Sequence, residues 1–269
     1  MSGFSTHQVG ALWTKHADAL DALPFVKHCF TSRHGGVSKG HTASLNLSFS
    51  REEKEIVFEN YRILSEAEGF TLQNFVLTDQ VHESGIWKVE QSDAGKGVTR
   101  PSDIHNIDAL MTNVAQIPLA VFVADCGSIL LADPVHRAVA AVHSGWRGTC
   151  ARIAAKTLGA MKEAYGTEPS EVIAAIGPCI GPCCYEVGGE VKEAFLAQGF
   201  SPALFAPSGN AFLLDLWQAN HDVLTTAGVL PSHISVAEIC TKCHSDDYFS
   251  HRATNGKRGN LAAIIEIGG

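Results

Sequence analysis

The chain has 269 residues, 45% of them apolar and 18% charged, with a formal net charge of −8. That composition supplies a core and excludes a disordered chain, and the acidic balance argues against nucleic acid or an anionic membrane surface as a general partner. No apolar run reaches the roughly 18 residues of a membrane span. The start, MSGFSTHQVGALW, lacks a basic stretch followed by an apolar one, so a cytoplasmic protein with reduced thiols is expected, despite eight cysteines.

Short runs rich in Val, Ile and Phe, bounded by turn residues, predict strands. They lie at 25–31, 75–81, 107–112, 119–124, 128–132, 138–143, 172–176, 234–239 and 261–267. After the first, Ser50 and Glu53 have the spacing of a capping box, and Val57, Tyr61 and Leu64 mark the buried face of a helix. The polar stretch 91–106 reads as a loop. A second helix is predicted from Thr149 onward, with Ala154, Leu158, Met161 and Tyr165 on one face, and shorter ones at 189–197 and 215–227. Strands interleaved with helices indicate an α/β protein, and the hairpins among them indicate mixed rather than purely parallel sheets. With no repeat and no linker, residues 1–269 are expected to form a single domain.

The segment VADCGSILLADPVHRAVAAVHSGWRG holds two apolar runs around Asp-Pro-Val-His. Proline favours the second position of a turn. A turn at Asp133–His136 makes Cys126 and His143 equidistant from its centre, so they are predicted to face each other across a hairpin, close enough to share a metal or form a thiolate–imidazolium pair. His143 also immediately precedes Ser144-Gly145-Trp146-Arg147-Gly148, where strand gives way to helix. A third donor, His82, stands at the end of an apolar run in Asp79-Gln80-Val81-His82-Glu83. Two imidazoles and a thiolate suit Zn²⁺, and three protein ligands leave a fourth position open.

Other cysteines are read differently. Cys240-Thr241-Lys242-Cys243-His244 has the form of half a zinc knuckle, but no second half follows at a suitable spacing, so it is read as structural or incidental. Cys179, Cys183 and Cys184 lie in a Gly/Pro-rich loop. The adjacency of Cys183 and Cys184 disfavours a second metal or a disulfide there, while Cys179 or Tyr185 is a candidate to line the pocket.

The segments TSRHGGVS (31–38), SLNLS (44–48), DQVH (79–82), DALMTN (108–113), VADC (123–126), AVHSGWRGT (141–149), IGPCIGPCCYEV (176–187) and YFSHR (248–252) together resemble the YfiH/laccase-domain family, described both as multicopper polyphenol oxidases and as purine nucleoside phosphorylases. The resemblance implies a layered sandwich of mixed β-sheets flanked by helices. It implies zinc held by His82, Cys126 and His143, with phosphorolysis of adenosine, inosine and methylthioadenosine and deamination of adenosine. His82 leans on the resemblance most. One departure is YFSHRATNG in place of the family's FSYRRDG: Arg252 matches the first arginine, and the second is absent.

For that chemistry Arg33, Arg147 and Arg252 are the candidate anion binders, and Asn46 is a candidate for ribose or base. Asp125 is a candidate to orient a ligand or carry a proton. The implied partners are a nucleoside and phosphate, with monomer and homodimer both open. Three other readings compete. In a Cys–His hydrolase, Cys126 would attack an amide or ester with His143 as base, and would not need His82. Copper is the alternative metal, for polyphenol oxidation, although the 13 histidines form no His-x-His pair. A non-catalytic binding module is the third.

Overall fold

The computed structural model describes residues 3–268. The chain opens with β1 (Phe4–Val9), β2 (Leu12–Ala17), α1 (Asp18–Asp21) and β3 (Val26–Thr31), followed by α2 (Lys54–Glu68). Next come β4 (Val76–Leu77), β5 (Ile86–Lys88), β6 (Ala109–Thr112), β7 (Leu119–Val123), β8 (Gly127–Asp133) and β9 (Ala138–Ser144). Helices α3 (Trp146–Cys150) and α4 (Ile153–Tyr165) lead into β10 (Ile173–Ile176), β11 (Glu186–Val187) and α5 (Gly189–Ala197). The remainder is β12 (Phe205–Ser208), β13 (Ala211–Leu214), α6 (Leu216–Thr226), β14 (Ile234–Val236), α7 (His251–Thr254) and β15 (Leu261–Ile267).

Two six-stranded sheets run β1-β2-β3-β15-β7-β4 and β14-β10-β8-β9-β6-β5, and a small third sheet runs β11-β13-β12. Both large sheets are mixed, because β4 pairs parallel to β7, and β14 and β5 pair parallel to β10 and β6. Alternation along each strand builds the layers. Val121 and Ile265 of the first sheet meet Leu130 and Ala141 of the second in one buried cluster. The opposite face of the second sheet presents Ile129 and Leu131 to Leu158 of α4 and Val223 of α6. The opposite face of the first presents Cys29 and Ile264 to Tyr61 and Leu64 of α2. This is the expected α/β sandwich of mixed sheets flanked by helices.

Two local expectations are corrected, and one hairpin is new. Helix α2 starts at Lys54 behind Glu53, which makes no side-chain cap; the Ser50 hydroxyl instead bonds the Ser48 hydroxyl at 2.9 Å. The hairpin of β1 and β2 had no strand expectation, because β1 is an exposed edge strand without an apolar run, turned by Gly10 at φ 62. In the central hairpin Asp133 pairs with Ala138, not His136, so Ser128 rather than Cys126 lies opposite His143. The Asp133 carboxylate accepts the N–H groups of Val135 and His136 at 2.8 and 3.0 Å, and Arg137 takes φ 50. That extra left-handed residue reconciles a turn begun at Pro134 with the twist of the strands.

The layer order predicts that Leu130→Ala, made between the two sheets, lowers unfolding stability by about 2–5 kcal/mol. The same change from Val135, 60% exposed at the hairpin tip, should stay within about 0.5 kcal/mol. Urea titration of both variants checks this; equal losses would contradict the layering.

Candidate active site

In β9, Val139 and Ala141 point between the sheets, and His143, two residues on, continues that face beyond the apolar layer. Cys126 precedes Ser128 by two, so it lies on the same face as His143's cross-strand partner, as a diagonal neighbour. His82 arrives from the loop after β4. The ligand-capable atoms of His82, Cys126 and His143 all lie within 4.8 Å of one another, and the two imidazole rings meet edge to face with centroids 4.9 Å apart. Gly145 makes the approach possible: a Cβ there would stand 3.0 Å from Cys126 Sγ and 3.7 Å from His143 Nε2.

Asp108, fully buried at the start of β6, ties these parts together. Its carboxylate accepts the His143 Nδ1–H at 2.7 Å and the backbone N–H groups of Val81, His82 and Glu83 at 3.1, 3.1 and 3.0 Å. Its carbonyl accepts the His143 N–H at 2.8 Å. An ionised carboxylate only accepts, so Nδ1 carries a proton, and Nε2 is the ring atom that faces Cys126 and His82, able to bind a metal once its own proton is displaced. Burial works against the charged carboxyl. The hydrogen bonds from His143 and the Glu83 N–H outweigh it and hold Asp108 below its usual range.

The same interplay polarises the pair above it. Burial opposes the Cys126 thiolate, but the hydrogen bonds and charges of His143 and His82 bring it down to about 6. Burial opposes the His143 imidazolium, but Asp108 and Cys126 raise it to about 9. Two backbone outliers flank the site, His82 at φ 62 and Asp125 at φ 86, both in the region that non-glycine residues rarely occupy. A metal fits this donor set: two nitrogens and a sulfur converge, and one imidazole is oriented by a buried carboxylate.

The three residues open onto a cavity of about 530 Å³, in the size range of small-molecule sites. Its walls include Phe49, Phe122, Arg51, Arg258 and Asn260. Arg258 is partly buried with its Nε unpartnered, and burial together with the charge of Arg51 lowers it to about 10.

The four residues expected to hold substrate lie outside this lining. Arg33 donates to the carbonyls of Ala43 and Ser245 and stacks on Phe249. Asn46, buried, donates to the Ser48 carbonyl and accepts the N–H groups of Ser48 and Asn260. Arg147 stacks on Trp146, away from the cavity, and the Arg252 guanidinium donates to the Glu186 carbonyl at 2.9 Å. Asp125 is equally committed, accepting from Thr241 Oγ1 at 2.7 Å and the Arg252 N–H at 2.6 Å. Asp108, Arg51 and Arg258 were not singled out from the sequence. Asp108 stood inside a quoted motif, but only its bonds reveal its part.

A family model described as multi-copper polyphenol oxidoreductase laccase matches residues 27–268, and the chain belongs to that family. Among similar proteins is a purine nucleoside phosphorylase of Bacteroides thetaiotaomicron, 34% identical over 255 residues, covering 93% of this chain and 94% of that one. Another is the purine nucleoside phosphorylase YlmD of Geobacillus stearothermophilus, 38% identical over 241 residues, covering 87% and 88%. The crystal structure of that YlmD superposes with a TM-score of 0.92 over the whole of both chains, at 34% identity.

With Cys126 at about 6, its thiolate predominates above that pH and is lost below it. In metal-stripped protein, iodoacetamide should therefore label Cys126 at a rate half-maximal near pH 6 and flat from pH 7 to 9, as read by peptide mass spectrometry. An ordinary cysteine would keep accelerating to about pH 8.5. Such a rise at Cys126 would contradict the polarised pair.

Proposed function

We propose that this chain is a zinc-dependent purine nucleoside phosphorylase acting on adenosine, inosine and methylthioadenosine, with a capacity to deaminate adenosine. The observation that carries the reading is the set His82, Cys126 and His143, converged within 4.8 Å at a cavity of about 530 Å³ that also presents two arginines. The names of the similar proteins support the substrate class.

His82, Cys126 and His143 would hold the zinc, which when bound supplies Lewis acidity at one open position. In phosphorolysis the bond from ribose C1′ to the purine nitrogen breaks, its electron pair leaves with the base, and a phosphate oxygen bonds C1′. Arg51 and Arg258 line the cavity and would hold phosphate, and Phe49 and Phe122 would offer apolar walls to a base or ribose. The tail lacks the second arginine of the family motif, and Arg258, six residues beyond Arg252, would be this chain's second cation there. Arg33 and Asn46 act one step back: Asn46 links Ser48 of the wall to Asn260, and Arg33 fixes the loop before it. Arg252 steadies Asp125, beside Cys126. The chain is proposed to work as one catalytic unit in the cytoplasm; among its described residues no helix is long and apolar enough to cross a membrane.

One observation favours a second reading, the Cys–His hydrolase. The Cys126 thiolate, favoured above about 6, beside the His143 imidazolium, favoured below about 9, is a preformed nucleophile with a proton donor next to it. His82 and the metal distinguish the two.

Zinc-replete protein incubated with adenosine or inosine and phosphate should release free base and ribose 1-phosphate, and adenosine should also yield inosine. Arg258→Ala should weaken the phosphate dependence about tenfold or more, seen as a raised KM for phosphate. The absence of free base, sugar phosphate and deaminated nucleoside would overturn the proposal.

A further inference from the structure

Seven of the eight cysteines lie outside the site described above, and four of them come together. Cys183 and Cys184 leave the loop after β10, while Cys240 and Cys243 sit on the turn after β14, nearly sixty residues away. The structure brings all four sulfurs within 4.8 Å of one another, with Cys243 Sγ 3.5 Å from both Cys183 Sγ and Cys184 Sγ. The half knuckle at Cys240–His244 therefore has its second half. It comes from a distant loop, where no spacing rule looks, and the adjacency of Cys183 and Cys184, expected to disfavour a metal, does not keep their sulfurs from converging with those of Cys240 and Cys243.

The two loops are stitched independently of the sulfurs. Cys179 and Cys240 form a parallel bridge, in which Cys179 N–H donates to the Ile239 carbonyl and Thr241 N–H to the Cys179 carbonyl, each at 3.2 Å. A Cβ at Gly181 would stand 3.3 Å from that of Cys240 and 2.7 Å from the Trp217 ring, so glycine permits the close approach.

We propose that Cys183, Cys184, Cys240 and Cys243 form a second metal site, a closed four-sulfur site for one Zn²⁺. Zinc–sulfur bonds of about 2.3 Å in a tetrahedron put the sulfurs about 3.8 Å apart, which the present spacing nearly matches. A disulfide needs about 2.05 Å and would join only two of the four. Cys243 faces Cys183 and Cys184 equally, as ligands around a shared centre do. Four protein ligands leave no open position, so the ion is structural and the site carries no chemistry of its own. Cys240 is buried and Cys183 and Cys243 are exposed, which leaves a path for metal entry.

The staple also reaches the active site. Ile180 N–H donates to the Asp125 carbonyl at 2.9 Å and Thr241 Oγ1 to the Asp125 carboxylate at 2.7 Å. Each stapled loop thus grips the residue before Cys126. The site's existence does not depend on the purine nucleoside reading.

The test is metal content per chain, by mass spectrometry of protein purified with reductant. Wild type should hold two zinc ions, and Cys126→Ala and Cys243→Ser one each. X-ray absorption of the zinc left in Cys126→Ala should show four sulfurs at about 2.3 Å, and cobalt in its place should give the charge-transfer band of a tetrahedral thiolate site. Should Cys243→Ser fail to fold, the Cys126→Ala protein decides alone. Metal-free Cys126→Ala with four alkylatable thiols at 183, 184, 240 and 243 would overturn the proposal, as would zinc bound there through nitrogen or oxygen. Wild-type protein that holds the four-sulfur zinc yet shows no phosphorolysis would overturn only the proposed activity.

Discussion

One buried carboxylate holds the candidate active site in shape. Asp108 takes four hydrogen bonds, one from the His143 ring and three from consecutive amides around His82. A charge this buried is stable only when it is this well solvated by donors. The same bonds turn His143 Nε2 toward Cys126 and tie down the chain at His82, which takes a left-handed conformation. His82 is exposed, yet its backbone is anchored from beneath.

The sandwich explains why such a carboxylate is available. Neighbouring strands of the second sheet deliver Asp108 and His143, and the hairpin of β8 and β9 places Cys126 on the same side. Helices cover the outer faces, so the rim where the sheets end is where polar side chains gather without disrupting the core. The loops there are fixed by backbone bonds: Arg33 and Asn46 brace the wall of the cavity, and Asp125 joins Cys126 to the loops around Thr241 and Arg252. Rigidity of this kind sets donor atoms more closely than packing alone.

The pairing of Cys126 with His143 was legible from the sequence although the hairpin register was off by two. Side chains alternate with period two, so a slip of two keeps a residue on its face, and a slip of one would have lost it. The major strands were legible for the same reason, since buried runs announce themselves. The edge strand β1 was not, because exposed backbone pairing leaves no apolar trace. Nor were Arg258 and the four-cysteine cluster. Both depend on which distant loops the topology sets side by side, and an arginine that reaches a cavity looks like one that reaches a carbonyl, as Arg33 does.

Asp108 as the orienting carboxylate is tested most directly by the zinc affinity of Asp108→Asn, measured by competition with a chromophoric chelator at pH 7. The asparagine keeps the size of the side chain but replaces one acceptor oxygen with a donor group facing the amides of the His82 loop. Affinity at the His82–Cys126–His143 site, isolated by the Cys243→Ser background, should fall about 10–100-fold while the protein stays folded by circular dichroism. Folded Asp108→Asn with unchanged affinity would contradict the account.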